Sequence, residues 1–147
     1  MELHKGNYLL STDKNKLDLE FIHRELTNSY WAPGIPFEIV KLAAEHSLAF
    51  GLYENEKQVG YARVISDYAT FAYLADVFIT ESARGRGLSK WMMEGIMSHP
   101  QLQGLRRFML ATKDAHSLYE KFGFHAMKTP ERMMEITRPD IYKNPKK

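Results

Sequence analysis

Apolar positions along the chain change rhythm, and each change predicts an element. Tyr8–Ser11 has the look of a short strand, and the polar run 11–15 that follows reads as a turn. Leu17, Phe21, Ile22 and Leu26 then fall at helical spacing, predicting an amphipathic helix over 16–28. Tyr30-Trp31-Ala32-Pro33-Gly34-Ile35-Pro36 must break it, because two prolines and a glycine forbid regular structure there. Phe37, Ile39, Val40, Ala43 and Ala44 predict a second short helix. Three strands are expected next, over 48–53, 59–66 and 71–79, the first two joined by the polar tetrad Glu54-Asn55-Glu56-Lys57. The third is apolar except for Asp76, the pattern of a strand buried on both faces. Leu88, Trp91, Met92 and Ile96 mark a helix that Pro100 stops, and 107–112 reads as a strand. Ala115, Leu118, Tyr119 and Phe122 share one face of a last helix, with Gly123 placed for a left-handed C-terminal cap and Phe124 to pack back over it. A final strand is expected at 133–136, and 143–147 as a solvated tail.

These elements, taken in order, describe a mixed α+β layer structure. With 147 residues and no internal repeat or linker, it fits a single domain spanning 1–147. Composition narrows the function classes. Hydrophobic content of 44% is that of a globular protein. A net charge of +2 gives no case for a nucleic-acid or acidic-membrane partner. The absence of cysteine removes disulfides, thiolate metal sites and a cysteine acyl-enzyme. Six scattered histidines lack ligand spacing, so no metal is expected. Neither a leader pattern at Met1-Glu2-Leu3-His4 nor an apolar run near ~20 residues is visible, and the expectation is a cytoplasmic protein.

The densest chemistry lies at 74–88, where an apolar strand empties into Arg84-Gly85-Arg86-Gly87 and a helix starts at once. That order gathers free backbone N–H groups, two guanidinium groups and the positive end of a helix dipole. Arg84-Gly85-Arg86-Gly87-Leu88-Ser89 after a strand, with Leu118-Tyr119-Glu120-Lys121-Phe122-Gly123-Phe124 further on, resembles the GNAT N-acetyltransferase superfamily. The family's Arg/Gln-x-x-Gly-x-Gly/Ala pattern is met by Arg84, Gly87 and Ser89, with serine at the last place. Thr112 stands where many members carry asparagine. The resemblance implies the GNAT fold: a mixed, mostly antiparallel central sheet flanked by helices.

It also implies acetyl-CoA as cosubstrate. Its pantetheine arm would pair with backbone groups of Val77, Phe78 and Ile79, and its diphosphate would be held by Arg84, Gly85, Arg86, Gly87, Leu88 and Ser89. Tyr119 matches the position of the family's general acid, where a phenol of pKa ~10 is protonated at neutral pH and can donate to a leaving thiolate. Its plain alternative is core packing. An amine of pKa ~10 must lose a proton before attack. An ungapped reading puts Tyr73 at the family's usual carboxylate position. Asp76 is the nearest acid, yet strand alternation puts it on the face opposite Tyr73. His116, Glu81 and a water chain are the other bases to weigh. Tyr30, Trp31 and Tyr73 are candidate acceptor contacts, the first two on the loop where the family forms its acceptor pocket. The implied reaction is direct transfer of acetyl to a primary amine of a small molecule or peptide, by a monomer or homodimer. A non-catalytic acyl-CoA-binding module and a basic-loop RNA binder are the rival readings.

Overall fold

Local hairpins build most of the sheet. The structure is a computed structural model describing residues 1–143. Six strands run in the order β1 (Glu2–Lys5), β2 (Tyr8–Ser11), β3 (Leu48–Glu54), β4 (Lys57–Ser66), β5 (Phe71–Ile79) and β6 (Arg107–Leu110). Successive pairs are antiparallel except β5 with β6, which is parallel. The helices are α1 (Leu19–Thr27), α2 (Phe37–Glu45), α3 (Leu88–Met97) and α4 (His116–Glu120). The expected α+β class and mostly antiparallel sheet are what the chain forms.

Four boundaries differ from the sequence reading, each for a physical reason. β1 was not expected, since Glu-Leu-His-Lys carries one apolar residue, but its backbone completes a hairpin through Gly6 at φ +60°. α1 begins at Leu19 because the Asp18 carboxylate accepts the Phe21 N–H and fixes the helix start, while Lys14–Lys16 form a separate 3-10 turn capped by Asp13. The polar tetrad narrows to Asn55 and Glu56, both at positive φ, so that Glu54 and Lys57 pair; this backbone suits the right-handed twist of a hairpin. No strand forms at 133–136, and Met134 and Ile136 are 97% and 90% exposed. The tail expectation falls, for 144–147, outside the described residues.

The sheet separates two cores. On one face Phe50, Leu52, Val64 and Leu74 pack against Met92, Met93 and Ile96 of α3. Gly95 lets α3 approach β2 closely, for a Cβ there would sit 2.3 Å from Leu10 Cδ2. On the other face Phe21, Ile22, Leu26 and Val40 of α1 and α2 cover Ala49 and Tyr61. The loop entering β5 is fixed by Asp67, whose carboxylate accepts from Thr70 Oγ1 and from the N–H groups of Thr70, Ala69 and Phe71. Those bonds, the Thr70 hydroxyl first, hold its carboxyl well below the usual carboxylate range. Among the described residues no helix is long and apolar enough to cross a membrane.

Candidate active site

β5 outlasts its parallel neighbour, and the cleft follows from that mismatch. The β5–β6 register runs from Phe71↔Arg107 to Leu74↔Leu110 and stops. Residues 75–79 continue on β4 alone, so on the β6 side their main-chain edge carries no strand among the described residues. Val77, Phe78 and Ile79 lie there. β5 is not sealed on both faces as its apolar pattern predicted: Tyr73, Ala75, Asp76, Val77 and Phe78 are only half-buried.

A bulge turns the carboxylate inward. The β4–β5 register slips between Tyr61 and Arg63, so that Asp76 and Val77 face the single residue Ala62, and Asp76 takes φ +56°. Alternation is interrupted there, which corrects the expectation that Asp76 lies on the face opposite Tyr73. Both line one cavity of about 440 Å³, together with Tyr30, Trp31, Asp114 and Tyr119. Asp76 Oδ1 accepts the Trp31 indole N–H at 2.9 Å, and Oδ2 accepts from Arg63 Nε. Arg63 also donates to Ser47 Oγ at 3.2 Å. The carboxylate therefore anchors an aromatic wall and a half-buried guanidinium at the same time.

Tyr119 projects from α4 towards the splayed strands. It is 8% exposed, its ring stacks edge-on against Phe124 at 6.1 Å, and it lines the cavity opposite β5. Burial first, then the Tyr30 hydroxyl and the Asp114 carboxylate, raises its pKa above the ordinary phenol value. The neutral, proton-carrying form is thus favoured. Gly123 adopts φ +93° and Phe124 N–H reaches back to Tyr119 C=O at 3.3 Å, the C-terminal cap that the sequence suggested. Thr112 Oγ1 accepts the Ala115 N–H and so starts this turn. His116 borders a neighbouring hollow along β6, not this cavity; Glu81 begins the 3-10 turn after β5.

The glycine-rich loop delivers amides more than cations. Gly85 and Gly87 sit at φ +80° and +74°, a region glycine enters without strain, with open space where a Cβ would stand. Trp91 N–H to Gly87 C=O is the first bond of α3, so the N–H groups of Leu88, Ser89 and Lys90 precede the ladder, and no side chain caps them. Arg84 Nε donates to Ile79 C=O and ties the loop to β5. Arg86 Nη1 donates to both oxygens of Glu54 and to Tyr8 Oη, while Nη2 reaches Ser82 C=O. Both guanidinium groups are engaged within the fold, which weakens the RNA-binding reading. The open amide cradle and the unpaired β5 edge fit a diphosphate and the amide arm of acetyl-CoA.

A family model for GNAT acetyltransferases matches residues 15–124, about three quarters of the chain. The chain belongs to the GNAT acetyltransferase family. A Gibberella zeae protein named as a candidate acetyltransferase is 34% identical over 140 residues, covering 80% of this chain and 78% of that one. A crystal structure of a candidate GNAT acetyltransferase from Xanthomonas campestris is 50% identical, covers 95% of this chain and 99% of its own, and superposes with a TM-score of 0.91. A candidate acetyltransferase of Clostridium acetobutylicum, solved with acetyl-CoA, shares the fold at 17% identity with a TM-score of 0.65, covering 89% of this chain and 95% of that one. Among the described residues of this GNAT chain, no group of three or more histidines and carboxylates is placed to hold a metal.

Three cavity residues escaped the sequence reading: Arg63, Asp114 and Tyr142. Arg63 gave a signal, a lone cation in the otherwise apolar run Tyr61-Ala62-Arg63-Val64-Ile65, which needs a buried carboxylate to be tolerated. Tyr142 gave none. It reaches the cavity from the irregular C-terminal segment and packs with the α1–α2 core.

Proposed function

We propose that the protein transfers acetyl from acetyl-CoA directly to a primary amine within a ternary complex, with Tyr119 as general acid. The observation that carries this reading is the placement of a buried, neutral phenol across a cavity from the unpaired β5 edge. Main-chain groups of Val77–Ile79 would align the thioester arm, and the amides from Gly85 to Ser89 would hold the diphosphate. As the amine attacks the thioester carbonyl, the C–N bond forms, the C–S bond breaks and the Tyr119 hydroxyl gives its proton to the departing sulfur. Both Asp76 oxygens already accept bonds from Trp31 and Arg63. We therefore place Asp76 as a positioning residue and route the amine proton through water at the cavity mouth.

The test joins binding to turnover. Acetyl-CoA at a hundredfold over its Kd should stabilise the fold by about 2.7 kcal/mol. Thiol release should then appear with at least one amine of a panel. Tyr119→Phe should lower kcat by roughly a hundredfold or more while leaving acetyl-CoA affinity intact. A binding module without catalysis would instead show the thermal shift, no thiol release and indifference to Tyr119→Phe.

A further inference from the structure

The cavity's walls and its charge count select among amines. Four aromatic side chains, Tyr30, Trp31, Tyr73 and Tyr142, face the space beside Tyr119. Tyr30 and Trp31 meet edge-on, ring centroids 5.1 Å apart, and remain 58% and 41% exposed. Trp31 is held in place by its bond to Asp76. Lys113 Nζ already lies over the Tyr30 ring, 5.4 Å from its centroid, and the Lys113 backbone N–H donates to Tyr30 Oη. Such rings are pre-set for a flat apolar body, which they can meet edge-on or offset.

The charges point the same way. Three ionisable charges line the cavity, Arg63, Asp76 and Asp114, and a fourth, the Lys113 ammonium, lies over the Tyr30 ring of its wall. Arg63 and Asp76 neutralise each other, which leaves Asp114 as the carboxylate that forms no ion pair among the described residues. One unpaired anion suits one ammonium. A polyamine would bring a second cation beside the Lys113 ammonium, which repels it.

One wall comes from the C-terminal segment. The Tyr142 carbonyl oxygen lies 2.9 Å from where a Cβ on Gly34 would stand, and Gly34 holds φ +79°. A glycine at this point lets residues 140–143 close over the aromatic loop, so that Tyr142 half-buries against the cavity. We infer that the acceptor is a monoamine with an aromatic body, and that Tyr142 is a residue that sets this preference. This rests on the amine acetyltransferase reading.

The experiment follows turnover and binding in parallel on the full chain, with phenethylamine, ethanolamine, spermidine and glutamate as probes. Phenethylamine should give the highest kcat/KM, and should also bind in calorimetry when acetyl-CoA is left out. Tyr142→Ala should raise its KM roughly tenfold, the loss of one aromatic contact, with kcat and the acetyl-CoA KM little changed. Tyr142→Phe should restore the preference for phenethylamine over ethanolamine, which a merely structural defect would not track. Turnover led by spermidine or glutamate would overturn the aromatic monoamine while leaving the enzyme reading intact. Phenethylamine binding that depends on Tyr142 without any thiol release would keep the aromatic amine site but overturn its role as an acceptor site, and the enzyme reading with it. An unchanged phenethylamine-to-ethanolamine ratio in Tyr142→Ala would remove Tyr142 from specificity.

Discussion

Tyr61 and Asp76 sit side by side and pull stability in opposite directions. The Tyr61 hydroxyl is buried without a hydrogen-bond partner among the described residues, and burial, then the Asp76 charge, raises its pKa. An unsatisfied buried hydroxyl is destabilising, so Tyr61→Phe should stabilise the fold by about 1 kcal/mol in urea unfolding. Asp76 is the reverse case. Its pair with Arg63 leaves the two side chains 11% and 19% exposed, and removing the anion strands a cation. Asp76→Asn should therefore cost about 3 kcal/mol, even though asparagine tolerates the left-handed backbone at this position. The same variant separates two roles. A clamp on Trp31 predicts a raised acceptor KM with kcat largely kept, whereas a base predicts loss of kcat and a changed pH profile. Sequence exposed the residue but not its direction, because the bulge that turns it inward arises from pairing with β4 and leaves no local signature.

Elements with strong periodicity were legible, and those whose existence depends on a partner were not. α2, β4, β5 and α3 follow from apolar spacing, since each buries a continuous face. β1 is held by backbone pairing to β2 and carries little apolar pattern, while 133–136 has the pattern of a strand but no neighbour to pair with. The glycine loop was legible for a different reason: positive φ at two nearby positions admits few residues other than glycine. That gives a controlled prediction. Gly87→Ala should strain the backbone by about 1 kcal/mol and put a methyl group before the α3 amides, weakening acetyl-CoA binding in calorimetry roughly tenfold or more. Gly104→Ala carries the same kind of strain at φ +72°, beyond the other end of α3. It should lose similar stability with no change in acetyl-CoA affinity. Equal losses of affinity in both variants would assign the effect to folding and not to the amide cradle.

At the scale of the whole molecule, the buried titratable groups define a pH window. Tyr53, Tyr61 and Tyr119 all have pKa values raised above the ordinary 10.0, burial being the largest cause in each. The folded chain keeps these protons when the unfolded chain has lost them. Their contribution is thus complete below pH 10 and falls away as pH climbs through the raised values. His99 acts at the other end. Burial lowers its pKa from 6.5, and its Nδ1 accepts the Gln101 N–H in the neutral form. The folded chain resists protonating it, so its contribution is present above pH 6.5 and is lost as pH falls through the lowered value. Thermal unfolding should accordingly show a plateau between about pH 6.5 and 10, declining on both sides. On the alkaline side, tyrosinate absorbance should rise together with unfolding, not ahead of it. Tyr119→Phe should soften the alkaline decline without moving the acid one. The same raised pKa bears on catalysis, because a general acid that stays protonated gives no descending limb in kcat below pH 10. A limb at lower pH that does not move in Asp114→Asn, which removes a charge that helps hold Tyr119 protonated, would exclude the phenol as its source.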